Sequence, residues 1–286
     1  MCRFTFYMGE EITVADLVTR PANSLINQST HAKERREPLN GDGFGLAWYL
    51  VDEPVPARFR SITPAWNNAN LVELARAARS ACILAHVRAA SVGPLSISEG
   101  NCHPFRCGPF ALMHNGHIGG FDRIRRPLLE SLSDASFETI MGTTDSEHLF
   151  ALALERLHGH ESESTRERLG EALVGAVSDV IGLMRTHAPD CHAYLNLVLT
   201  DGSHAAACRY STDPDHIDSL YINEGGRYLC EDGVCYMGTD DAAERSVLIS
   251  SEPLNEGPLW QAITPAHLVL VDADRSVSLQ ALDLDT

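Results

Sequence analysis

The second residue of the chain is a cysteine, and that position carries unusual chemical potential. Removal of Met1, which the small Cys2 side chain favours, would leave a first residue with a thiol and a free amine on adjacent carbons. Reference pKa values of about 8.5 for a thiol and about 7.7–8.0 for an α-amine put both groups near neutrality, so one residue would supply nucleophile and general base. Seven further cysteines, at 82, 102, 107, 191, 208, 230 and 235, open a different reading, a thiol- or metal-binding regulatory protein. Cys102 with Cys107 and Cys230 with Cys235 are spaced C-x4-C, wider than structural zinc usually takes. In RYLCEDGVCYM the Asp232-Gly233 dipeptide predicts a two-residue hairpin with Cys230 opposite Cys235, as cross-strand neighbours rather than ligands. Whether the two are bonded stays open. His86, His103, His114 and His117 form another conceivable metal set, but strand-end histidines are usually structural, and neither metal nor cofactor is expected.

These groups must be held by regular elements. TDSEHLFALALERL, from Thr144 to Leu157, opens with a Thr144-x-x-Glu147 capping box and reads as a helix with Asp145 in its first turn. A second helix is predicted over Arg166–His187 and a shorter one over Leu71–Ala81, with the polar stretch 159–164 as a loop. Strands are predicted at Arg3–Met8, Gly45–Val51, Cys82–Arg88, Phe110–His114, Tyr194–Thr200, Ala205–Tyr210, Leu220–Asn223, the Tyr228–Met237 hairpin, Ser246–Ser250, His267–Asp272 and Ser276–Ala281. Asn115-Gly116, following Phe110–His114, reads as a hairpin turn. About eleven strands joined by tight turns, with two or three long helices, predict an α+β fold of antiparallel sheets with helices outside.

Composition narrows the function classes. With 22 Lys and Arg against 39 Asp and Glu, the formal charge of −17 repels phosphate backbones and anionic lipid, so no nucleic-acid or membrane partner is expected. The 286 residues contain no apolar run of the roughly 18 needed to span a bilayer. The start, MCRFTFYMGEE, lacks the basic-then-apolar pattern of a secretory signal, so a cytoplasmic protein with mostly reduced thiols is expected.

MCRF at the start, NGDGFGLAWY at 40–49, AHVRAAS at 85–91, NCHPF at 101–105, HNGHI at 114–118, TTDSEH at 143–148 and SSEPL at 250–254 together resemble the class II glutamine amidotransferases, which are N-terminal-nucleophile hydrolases. With RPANSLINQS at 20–29, they look most like the amidotransferase-like subunits of fungal glutathione degradation, and less closely like the γ-glutamyl amidohydrolases of ergothioneine synthesis. The resemblance implies an αββα four-layer sandwich of two antiparallel sheets, with residues 1–286 as a single domain. It also implies roles: Cys2 as nucleophile, the Asn115 side chain and Gly116 N–H as oxyanion donors, Arg88 for a substrate α-carboxylate and Asp145 for its α-ammonium. The expected substrate is a small γ-glutamyl amide, glutamine or a peptide such as glutathione, cleaved through a thioester. Alternatives are an ammonia-supplying glutaminase with a partner protein subunit, or a catalytically silent scaffold. Polar residues of Asn40-Gly41-Asp42-Gly43 are expected to act as scaffold, and Lys33-Glu34-Arg35-Arg36 as a solvated loop or a patch attracting a second carboxylate.

Overall fold

Alternating apolar side chains on long strands build two antiparallel sheets, each buried on both faces. The computed structural model describes residues 2–34, 39–89, 97–158, 165–231, 233–238, 244–282 and 284. The first sheet holds β1 (Arg3–Thr13), β2 (Phe44–Leu50), β3 (Glu53–Ser61), β4 (Arg79–Val87), β9 (Tyr221–Gly225), β12 (Ser246–Ser250) and β13 (Trp260–Ala262), in the order β13-β9-β12-β1-β4-β2-β3. The second holds β5 (Phe105–Cys107), β6 (Phe110–Ile118), β7 (Ala193–Thr200), β8 (Ala205–Ser211), β14 (His267–Val271) and β15 (Val277–Ala281), in the order β15-β14-β8-β7-β6-β5.

The period of two divides each strand between layers. Phe4, Phe6 and Met8 of β1, Cys82 and Leu84 of β4, Ala111 and Met113 of β6 and Val198 of β7 meet in the seam between the sheets. Phe110, Leu112, Leu195 and Leu197 face outward from the second sheet, against α4 (Phe121–Glu130), α6 (Asp145–Leu157) and α7 (Arg166–His187). Tyr7, Leu46, Ile83 and Leu248 face outward from the first, against α1 (Ala15–Val18), α2 (Leu25–Gln28), α3 (Ala69–Ala77) and the hairpin of β10 (Tyr228–Glu231) and β11 (Val234–Met237). The stacking is the expected αββα sandwich.

Details depart from expectation in informative ways. Asn115 and Gly116 form no turn: β6 runs on to Ile118, pairing Asn115 with Asn196 and Gly116 with Leu195 of β7. Gly116, at φ +153°, is glycine because a Cβ there would stand 1.8 Å from the Tyr194 carbonyl oxygen. Close backbone approach, not a turn, explains the residue. The predicted Leu71–Ala81 helix stops at Ala77, and β4 begins at Arg79, because Ser80, Cys82 and Leu84 already follow the strand alternation. β3, obscured in the sequence by Pro54 and Pro56, sits at the sheet edge where a missing N–H costs little. Fifteen strands form among the described residues, the short β5 and β13 being below the length that periodicity detects.

Cys230 lies opposite Cys235 as expected, and the two are disulfide-bonded, with Cα atoms 4.0 Å apart. The other six cysteines are free thiols. Asp232 of that turn, the loop 159–164 and Arg35-Arg36 lie outside the described residues. No described helix is long and apolar enough to cross a membrane.

Gly116→Ala is expected to lower stability by about 1–3 kcal/mol, because the added methyl must displace the β7 backbone. Urea denaturation of the two proteins measures it.

Candidate active site

Antiparallel register brings the two ends of the predicted site together. Arg3 of β1 pairs with Val87 of β4, so Cys2, one residue before β1, comes opposite Arg88, one residue after β4. Alternation carries Cys2 onto the seam face of Phe4 and Phe6, and Arg88 onto that of Leu84 and His86. The Cys2 thiol donates to the Ala89 carbonyl across 3.7 Å. Burial pushes the thiol up from its ordinary pKa, the Arg88 cation pulls it back, and the Asp145 carboxylate pushes it up.

Arg88 is 4% exposed, and its Nη1 has no hydrogen-bond partner among the described residues. A buried guanidinium donor of this kind is chemically suited to hold a carboxylate. Its backbone is locked to the Asn40–Gly43 block: Arg88 N–H donates to Gly43 O at 2.8 Å, and Asp42 N–H to Arg88 O at 3.0 Å. That block therefore acts as scaffold.

Asn115 shares the seam face of Ala111 and Met113. Its Nδ2 donates to Ser251 Oγ at 3.4 Å, and the same oxygen accepts the Phe4 N–H at 3.1 Å. Ser251 thus ties the second sheet to the first two residues beyond Cys2. Asp145 begins α6, whose cap Thr144 accepts the Glu147 N–H at 3.3 Å. Only half of the capping box forms, since the Glu147 carboxylate instead accepts from Met141 and Gly142 N–H at 3.1 and 2.6 Å. Asp145 is half-buried, and its Oδ2 accepts the Ile118 N–H of β6 at 2.7 Å.

Two residues that sequence reasoning missed anchor the chain start. Arg3 and Glu252, each side chain 1% exposed, form an ion pair at 3.0 Å, and Arg3 Nη1 donates to the Cys2 carbonyl at 2.9 Å. The Glu252 carboxylate also accepts the Lys33 and Glu34 N–H groups at 2.9 and 3.2 Å. The available signal was a charged residue inside each of two apolar blocks, MCRF and SSEPL. A cavity of about 620 Å³, lined by Asn23, Lys33, Glu34, Asn255 and Trp260, abuts Glu252.

The His86 and His103 rings pack at a tilt of 43° with centroids 4.1 Å apart, and His86 Nε2 bonds the His114 carbonyl at 3.1 Å. Burial lowers the His86 pKa to about 3 and moves His103 well down. They are packed neutral. Among the described residues, no group of three or more His, Cys, Asp or Glu side chains is arranged to hold a metal.

Residues 21–283 match the family model described as class-II glutamine amidotransferases. The chain belongs to that family. The family comprises enzymes acting on carbon–nitrogen amide bonds. Over 99% of its length the chain is 36% identical to the "probable glutamine amidotransferase DUG3" of Saccharomyces cerevisiae, covering 84% of that protein. It is 30% identical, over 99% of its length and 97% of the relative's, to a γ-glutamyl-hercynylcysteine sulfoxide hydrolase of Mycobacterium tuberculosis. A glutamine aminotransferase class-II domain protein from Silicibacter pomeroyi superposes with a TM-score of 0.66 at 26% identity, over 98% of this chain and 99% of the other. The glutamine phosphoribosylpyrophosphate amidotransferase of B. subtilis shares the fold, with a TM-score of 0.59 at 13% identity, over 98% of this chain and 49% of the other.

Two outcomes are expected of this chain. Glu252→Ala leaves Arg3 charged and buried without its partner, and should cost about 3–5 kcal/mol in a denaturation experiment. For His86, the unfolded ring takes a proton below a pKa of 6.5 while the folded ring does not until about 3. Stability therefore falls as pH drops through that window, by about 1.4 kcal/mol per pH unit for one such group. Replacing His86 with Asn should flatten the measured slope between pH 6 and pH 4.

Proposed function

We propose that the protein cleaves the γ-glutamyl amide bond of glutamine or of a γ-glutamyl peptide such as glutathione, through a thioester on Cys2. The observation that carries this reading is the convergence of Cys2, Arg88 and Asn115 at one end of the seam, with Asp145 and Gly116 beside them. Loss of Met1 frees the Cys2 amine, which takes the thiol proton as sulfur attacks the side-chain carbonyl carbon. The Asn115 amide and the Gly116 N–H stabilise the resulting oxyanion; one such donor is worth roughly 2.7–4 kcal/mol. Collapse of the intermediate breaks the C–N bond, and the amine returns its proton to the departing nitrogen. Water then enters by the reverse sequence and releases glutamate.

Arg88 holds the α-carboxylate by charge-assisted hydrogen bonds, and Asp145 accepts from the α-ammonium. The unused, buried Arg88 donor supports the first assignment. Glutamyl specificity thus rests on two opposite charges in a protein whose net charge of −17 opposes anionic substrates at long range. A second reading, an ammonia-supplying glutaminase working with a partner subunit, is favoured by the amidotransferase name of the yeast relative. On either reading residues 1–286 act as one catalytic domain, in the cytoplasm.

Glutamate release from glutamine and from glutathione, measured side by side, tests the proposal. Cys2→Ala should reduce both to background, and Asn115→Ala should lower kcat roughly 100- to 1,000-fold. Unimpaired turnover by Cys2→Ala would contradict the mechanism.

A further inference from the structure

The Asp145 carboxylate is held more tightly than a helix-start aspartate requires. Its Oδ1 accepts the Ser146 N–H at 2.7 Å. The same oxygen also lies 3.0 Å from Ser146 Oγ, while Oδ2 reaches off the helix to the Ile118 N–H of β6. An ionised carboxylate offers about four acceptor sites. Two are occupied by backbone N–H donors from α6 and β6, and the Ser146 hydroxyl packs against Oδ1, so the direction in which the carboxylate points is set by the surrounding structure.

What sets it can be traced one layer further. Ser146 Oγ is 2.8 Å from His114 Nδ1, and His114 Nε2 is 2.9 Å from the Tyr194 carbonyl oxygen. A carbonyl only accepts, so Nε2 carries a hydrogen and the ring orientation is fixed. Both His114 and Ser146 are buried. His114 and Gly116 share one face of β6, and a Cβ on Gly116 would stand 2.7 Å from His114 Nε2. The missing side chain at position 116 leaves the space in which the imidazole lies. One packed assembly therefore runs from the Gly116 backbone through His114 and Ser146 to Asp145. The helix cap itself is Thr144, which accepts the Glu147 N–H, so the contacts of Asp145 with Ser146 and Ile118, and the buried imidazole behind Ser146, are additional.

We infer that Ser146 and His114 are positioning residues that aim the Asp145 carboxylate at the substrate's α-ammonium, and so set affinity for the glutamyl group without touching it. This deepens the reading of Asp145 given above and rests on it. The bond-breaking atoms lie elsewhere in the site, so loss of the Ser146 hydroxyl acts on binding rather than on the chemical step.

The experiment compares glutamine with 5-amino-5-oxopentanoate, which keeps the amide and the carboxylate but lacks the ammonium. Ser146→Ala is expected to raise KM for glutamine about 10-fold with kcat within about 2-fold, and to leave kcat/KM for the analogue at the wild-type value. Ser146→Thr, which retains the hydroxyl, should restore KM. Asp145→Asn, measured on glutamine, separates the two layers of the reading. If Asp145→Asn raises KM and Ser146→Ala does not, the positioning role is overturned and the ammonium site stands. If Asp145→Asn leaves KM unchanged, the ammonium site is wrong and the positioning role goes with it. Equal losses by Ser146→Ala on both substrates would also overturn the inference, since Ser146 would then support the site at large.

Discussion

The ion pair between Arg3 and Glu252 anchors the segment that carries Cys2. Two charges 1% exposed on each side are costly to desolvate, and the arrangement persists because each is paired at 3.0 Å and further hydrogen-bonded. Arg3 spends a second donor on the Cys2 carbonyl, and Glu252 gathers the Lys33 and Glu34 amides. The first residues of a chain ordinarily fray. Here the segment after Cys2 is paired with β12 on one side and with β4 on the other, which holds it in place.

Stacking two sheets then does the rest of the positioning. Phe4, Phe6, Leu84, Met113 and Val198 keep the middle of the seam dry, and the same faces continue at one end into Cys2, His86, Arg88, Asn115 and Asn196. His86, Asn115 and Asn196 take their orientation from strands, and Cys2 and Arg88 each lie one residue off a strand end, which holds them more precisely than a long loop would. The Ser251 hydroxyl, shared between Asn115 and the Phe4 N–H, binds the sheets together two residues beyond Cys2.

Much of this was legible in the sequence. Long alternating runs announced β1, β4 and β7, and Arg166–His187 has the limits its periodicity predicts. The blocks around Cys2, Arg88, Asn115 and Asp145 identified the family and the residues to watch. What escaped was tertiary. Asn115-Gly116 has the composition of a turn, and only the pairing with β7 and the crowding by Tyr194 reveal a strand. β3 carries two prolines that a local rule penalises, although its edge position tolerates them. Arg3 and Glu252, some 249 residues apart in sequence, have no local pattern that pairs them. Ser146 and His114 look like an ordinary helix residue and an ordinary strand residue until the distances between them are known.

The central claim is that sulfur and proton acceptor belong to the same residue at a processed chain start. It is tested most directly by labelling the native protein with a glutamine-like diazoketone and mapping the adduct by mass spectrometry. The account predicts one adduct, on the sulfur of Cys2, in a peptide that begins at Cys2 with its α-amine free. Labelling of Cys102 or another thiol, or an adduct on a peptide that still carries Met1, would contradict it.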